Sequence, residues 1–333
     1  MGNLSLYLIT ISVWGSSWLA INFQLGVVAT EVSVVYRYAL ASTLLFAWIA
    51  FKRLPLKFNV HAHFRFFLLG LLLFSLNYIA TYTAQHYISS ALNAIAFSTM
   101  MWMNVINTRI FFGTRIEPRV YLGAGLGMAG IAVLFWPEVS NIDITDRTLV
   151  GAGLSLGGAF VASLGNMVSQ SSQKIRLPVL QSNAWGMFYG TIITALIALR
   201  QGREFNFDWS VDYVASLFYL AIFASIIAFG SYLKLLGRIG AHKAGYVVVM
   251  FPVVALVLSL LFEDLSFELN ILFGVALVVA GNLVILGLSQ AVAATRMLIH
   301  SAYLRPFGLL LGYRANAMRY MSSLLGSAGK SNG

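Results

Sequence analysis

Residues 121–136 read YLGAGLGMAGIAVLFW, and residues 272–287 read LFGVALVVAGNLVILG. Gly123 aligns with Gly274, Ala129 with Ala280, Gly130 with Gly281 and Val133 with Val284, at a constant offset of 151 residues. In both places a polar break precedes a glycine-spaced apolar run. A bilayer core of ~30 Å needs about 20 mostly apolar residues per helical span. At that length the offset carries a fifth span onto a tenth, so each half holds five. An odd number of spans turns the second half upside down in the membrane, which is the inverted-repeat plan of secondary transporters.

Working outward, apolar runs fall at roughly 4–24, 33–51, 64–83, 90–110, 119–136, 149–170, 180–200, 212–233, 244–262 and 269–288. Pro55, Pro118, Pro137, Pro178 and Pro306 punctuate the connections, as helix breakers do. Hydrophobic residues make up 59% of the chain and charged residues 10%, against about 25% charged in a soluble domain. The expectation is an all-α membrane protein of ten transmembrane helices around a central cavity. Its first repeat covers 1–144, its second 145–288, and a basic tail 289–333.

Charge fixes the orientation. Of the 11 acids, all but Glu117 lie in alternate connections. Lys52, Arg53, Lys57, Arg109, Arg115, Lys174, Arg176, Lys234, Arg238 and Lys243 lie in the others, and the tail adds Arg296, Arg305, Arg314, Arg319 and Lys330. Lys and Arg stay on the cytoplasmic side, so both termini are expected there. The first run has no basic n-region and is span-length, unlike a cleaved signal peptide. Basic charge that follows membrane boundaries argues against nucleic acid. In the tail, Phe307, Leu310, Leu311, Met318, Met321 and Leu325 fall at roughly helical spacing, as in an amphipathic helix on anionic headgroups; a disordered tail is the alternative.

Two motifs mislead. Gly125–Gly130 fits the dinucleotide-binding GxGxxG, and Gly153–Gly157 fits the hydrolase GxSxG. Both lie inside expected helices, without the strand–turn–helix context that gives them chemistry. Close helix packing explains the glycines of the first. With no Cys, and His61, His63, His86, His242 and His300 scattered, neither a metal nor a cofactor is expected.

Polar and aromatic residues inside spans are the candidate substrate contacts, because polar groups in hydrocarbon need partners. These are Asn77, Tyr78 and Tyr82 in the third run, and Ser98, Met101 and Trp102 in the fourth. Asn166 lies in the sixth, Trp185 and Tyr189 in the seventh, and Tyr246 and Met250 in the ninth. Tyr78/Tyr82, Trp185/Tyr189 and Tyr246/Met250 each share a helix face at i, i+4. These mid-span pairs are preferred to Trp14 and Tyr7, which suit an interfacial belt. Arg37 is the one basic residue well inside a span; it either meets a substrate carboxylate or snorkels to the interface. Pro252 removes the backbone bond to Val248 and is the candidate hinge. An aromatic wall with a few amides suits a small molecule with an aromatic side chain.

Two halves of five spans, Arg37 early in the second run, and Pro252 followed by Glu263 and Gly274–Gly281 resemble the EamA type of drug/metabolite transporter. The opening Trp14-Gly15-Ser16-Ser17-Trp18 and the aromatic content resemble the YddG-type aromatic amino-acid exporters. The resemblance covers about 1–288. It departs in the first half, where Met101 and Phe112 stand at the offset positions of Pro252 and Glu263. It implies export of aromatic or apolar amino acids and related metabolites from the bacterial inner membrane. The absence of a carboxylate or histidine at mid-span adds the expectation of uniport. A broad drug/metabolite exporter is the alternative; an intramembrane enzyme lacks a catalytic constellation at membrane depth, and the inverted repeat argues against a scaffold.

Overall fold

The computed structural model describes residues 1–24, 26–84, 86–88, 90–136, 140, 145–250, 252–254 and 269–286. Among them the secondary structure is helical, with no strand. Residues Met1–Ile285 form one compact unit. The expected tail helix lies outside the described residues, as do Glu263 and the end of the ninth run.

Helices occupy the expected runs: α1 (Asn3–Asn22), α2 (Thr30–Phe51), α3 (Val60–Ala84), α4 (Ser90–Ser98) and α5 (Met100–Phe112). There follow α6 (Pro118–Leu134), α7 (Asp146–Lys174), α8 (Val179–Arg200), α9 (Val211–Ile239), α10 (Ala241–Ala244) and α11 (Leu269–Leu286). Residues 247–250 and 252–254 are also helical. Five helices, α2, α3, α7, α8 and α9, are each long and apolar enough to cross a membrane.

Local chemistry sets the ends. The Asn59 side chain accepts from the Ala62 amide, Thr145 from Thr148 and Ser210 from Tyr213, capping α3, α7 and α9. Pro118 starts α6, where its missing N–H is no loss. Gly113 ends α5 in the left-handed region at φ 62°, returning its N–H to the Arg109 carbonyl. The expected fourth span is two helices. At Thr99 the hydroxyl and the amide both bond the Ala96 carbonyl, at 2.6 and 3.2 Å, and that tightening interrupts the regular ladder.

Two helices contain π-helical turns in mid-length. They are 72–76 in α3 and 220–228 in α9. Such turns widen the helix by one residue and free a carbonyl from regular pairing.

The packing is inside-out relative to a soluble protein. Leu122, Phe160, Leu196, Phe218 and Phe273 are exposed, while Asn104, Asn107, Asn166, Ser163 and Thr194 are buried. An apolar exterior of this kind is what a bilayer solvates. α2 runs along α8, α3 lies against α7 and α8, and α1 lies against α9. α6 and α11 approach closely through glycine. A methyl on Gly123 would sit 2.6 Å from the Gly281 carbonyl oxygen, and one on Gly130 would sit 2.8 Å from that of Gly274. Side chains at these positions would force the helices apart.

Candidate functional site

A cavity of about 140 Å³ lies among α1, α2, α3, α4, α5, α7, α9 and the 247–250 run. The π turns sit beside it. Leu73 from the first faces the cavity, and Asn77, Tyr78, Thr81 and Tyr82 follow on the next turns of α3. The second supplies polar partners to its neighbours. The Trp14 indole donates to the Ala224 carbonyl at 3.2 Å, and Arg37 Nε donates to Ser225 Oγ at 2.8 Å. Trp14 also packs edge-on to Phe229, with ring centroids 4.9 Å apart. Each such aromatic pair adds about 0.5–1.5 kcal/mol beyond burial.

Arg37 points into the protein and is 4% exposed, so it does not snorkel. Its guanidinium lies 5.3 Å from the Tyr38 ring centroid and 5.4 Å from that of Tyr78. The side chains of Tyr78 and Tyr82 neighbour it. The ion pairs among the described residues join Glu117 to Arg119 and Lys243, and Glu31 to Arg203. Arg37 thus has no carboxylate partner among the described residues. A guanidinium carries five donors, and π faces offer weaker compensation than an anion.

Acceptors complement that charge. Asn77, Asn93 and Asn166 line the cavity, and the side-chain oxygen of each is buried without a hydrogen-bond partner. Asn93 Nδ2 donates to the Thr81 carbonyl at 2.9 Å, which fixes the amide with its oxygen turned away from that carbonyl. Asn166 Nδ2 donates to Asn104 Oδ1 at 3.2 Å. The cavity therefore offers one strong cation and three amide oxygens, separated by aromatic wall.

Tyr78 and Tyr82 stack with centroids 6.1 Å apart. The same pair lines a water-sized pocket of about 10 Å³ with Thr30, Glu31, Thr83 and His86. The two rings therefore stand between the cavity and the end of the protein held by the Glu31–Arg203 pair.

Five residues singled out in the sequence meet at this cavity: Arg37, Asn77, Tyr78, Tyr82 and Asn166. The others lie elsewhere. Ser98 and Met101 are fully buried, and it is Met100 that lines the cavity. The Trp102 ring lies 6.2 Å from that of Tyr121. Trp185 packs on Phe46 and His63, and Tyr189 Oη lies 3.0 Å from His63 Nδ1. Tyr246 Oη donates to the Val278 carbonyl at 2.7 Å and wedges against Gly127 and Gly281. Met250 and Pro252 are buried. The sequence reading passed over Trp14, Asn93, Phe97, Phe229 and Tyr232, which line the cavity. The repeat offset carried a signal for two of them: it takes Tyr78 to Phe229 and Thr81 to Tyr232.

Comparison with known proteins gives a consistent picture. The model of the EamA-like transporter family matches residues 2–136 and again 149–287. The uncharacterized transporter YoaV of Bacillus subtilis (strain 168) is 23% identical over 273 residues, 81% of this chain and 91% of that one. The uncharacterized inner membrane transporter YedA of Escherichia coli (strain K12) is 27% identical over 252 residues, 74% of this chain and 78% of that one. A crystal structure superposes with a TM-score of 0.72 at 17% identity, covering 85% of this chain and 95% of the other, a likeness of fold alone.

Proposed function

The chain belongs to the EamA-like transporter family, and from that premise we propose that it exports aromatic and apolar amino acids by alternating access. The single observation that carries the substrate reading is the polarity of the cavity. An unneutralised buried guanidinium and three unpartnered amide oxygens line one aromatic-walled space. A carboxylate answers the guanidinium with charge-assisted hydrogen bonds. An ammonium group has three donors and no acceptor, and it answers the amide oxygens. An aromatic side chain suits the tyrosine, tryptophan and phenylalanine walls. A cationic drug would instead meet the unneutralised charge of Arg37.

The architecture we propose is ten spans in two inverted halves, 1–144 and 145–288. Three observations support it. The family model matches twice along the chain. The 151-residue offset carries the 72–76 π turn onto 223–227, inside the second π segment. The same offset maps the Gly123–Gly281 contact onto the Gly274–Gly130 contact, the self-complementary pairing that a two-fold axis generates. The cavity then lies on that axis, with Tyr78 paired with Phe229 and Phe97 with Val248.

Its lining holds no carboxylate and no histidine among the described residues, which favours uniport down the substrate's own gradient. The proposed location is the bacterial inner membrane, as the family resemblance implies, and the distribution of basic residues supports cytoplasmic termini. The test is counterflow of radiolabelled amino acids into proteoliposomes holding only this protein. Uptake of phenylalanine, tryptophan or leucine against cold competitor is expected. Counterflow with none of the amino acids would overturn the substrate reading.

A further inference from the structure

A second cavity, of about 650 Å³, lies away from the proposed substrate site. At one end it is cationic. Lys174 ends α7 and Arg176 lies in the turn that leads to α8, and Lys234 and Arg238 stand one turn apart on α9. No acid lines it among the described residues. Arg238 Nη1 donates to the Met1 carbonyl and Asn3 Oδ1, at 2.9 and 3.2 Å, and Lys174 caps the Phe112 ring at 3.9 Å. Lys234 and Arg176 have no ion pair among the described residues.

From the cations the space runs inward over apolar surface. Arg238, Lys234, Gly230 and Ile226 follow one another at four-residue steps along α9, a descent of ~18 Å at helical rise. Leu45, Val179 and Leu180 line the same space. The space beside Gly230 is open: a methyl there would meet no atom within 4 Å. Asn183, 2% exposed, lines the cavity, and its side-chain oxygen has no partner.

We infer that this groove binds an anionic phospholipid carrying a hydroxylated headgroup. Its phosphate sits among the four cations, a headgroup hydroxyl donates to Asn183, and an acyl chain lies along Gly230 and Ile226. Basic pockets between transmembrane helices hold anionic headgroups in this way. A soluble phosphate would use the cations and leave the apolar slot empty. The groove touches α2, α8 and α9, helices of both proposed halves, so a lipid there bridges them.

The test is native mass spectrometry of the full chain in micelles doped with phosphatidylglycerol or phosphatidylcholine, with glycerol 3-phosphate as the soluble arm. Phosphatidylglycerol is expected to stay bound where phosphatidylcholine and glycerol 3-phosphate do not. Lys234→Gln with Arg238→Gln should weaken it by about fivefold per cation removed. Gly230→Leu, which keeps every charge and fills the slot, should weaken it as well. If the α9 pair unfolds, Arg176→Gln on the turn replaces it. Equal retention of the two lipids, full retention by the variants, or glycerol 3-phosphate binding as tightly as phosphatidylglycerol would overturn the assignment. None of these readouts depends on which substrate is carried.

Discussion

Leaving the Arg37 guanidinium among aromatic rings costs several kcal/mol unless an anion completes it. Its hydrogen-bond partners, Ser225 and the neighbouring tyrosines Tyr78 and Tyr82, are neutral hydroxyls. The stacked Tyr78–Tyr82 pair beside it does two things: it walls the cavity and separates it from the small pocket at Glu31 and His86. Tyr82→Ala should therefore weaken substrate binding by about ten- to hundredfold, the range for losing a buried aromatic contact. Trp185→Ala lies in a different aromatic cluster and should keep near-native affinity while lowering thermal stability. Equilibrium binding on monodisperse variants checks both. Equal losses would mean that the affinity is not set at the cavity walls.

Elements were more legible than sites, for a physical reason. The apolar runs, the capping residues and the prolines mark helices one by one, and those signals are local. Whether Met100 or Met101 faces the cavity depends on helix rotation, and the Thr99 tightening between α4 and α5 resets that rotation. Tyr246 reads like a binding residue because it is aromatic and near a proline. Its partner is the Val278 carbonyl on α11, a contact invisible in a single chain segment. Neither π turn carries a capping side chain or a proline to mark it in the sequence.

At α10 a titrating element links the halves of the chain. The Glu117 carboxyl is held at about 2 by hydrogen bonds from Arg119 and Lys243, so it stays ionised through the physiological range. His242 beside Lys243 is pushed down to about 4, first by burial and then by the Lys243 charge. A histidine whose folded pKa is depressed resists the proton that the unfolded chain takes up near 6.5. Its contribution is complete above 6.5 and is lost as pH falls from there to about 4. His242→Gln should flatten the fall of melting temperature over that window. An unchanged slope would show that other groups carry the acid sensitivity.

At the scale of the whole molecule, the proposed orientation rests on charge alone and is independent of the site. The chain has no native cysteine, so single cysteines report cleanly. Glu204→Cys, in the exposed turn after α8, should react with an impermeant maleimide outside intact cells. Lys57→Cys, in the exposed link before α3, should react only after permeabilisation. The reverse pattern would invert the orientation while leaving the cavity intact.

The most direct measurement of the central claim is a binding cycle on the purified chain. The ligands are L-phenylalanine, phenethylamine, which lacks the carboxylate, and 3-phenylpropionate, which lacks the ammonium. The proteins are the native chain and Arg37→Gln. The native protein should bind phenylalanine more tightly than either one-ended analogue. Arg37→Gln should weaken phenylalanine and phenylpropionate by about ten- to hundredfold, the worth of a charged hydrogen bond. It should leave phenethylamine no weaker than before. Equal weakening of all three ligands, or native binding of phenethylamine as tight as that of phenylalanine, would contradict the assignment of the cavity to an amino acid.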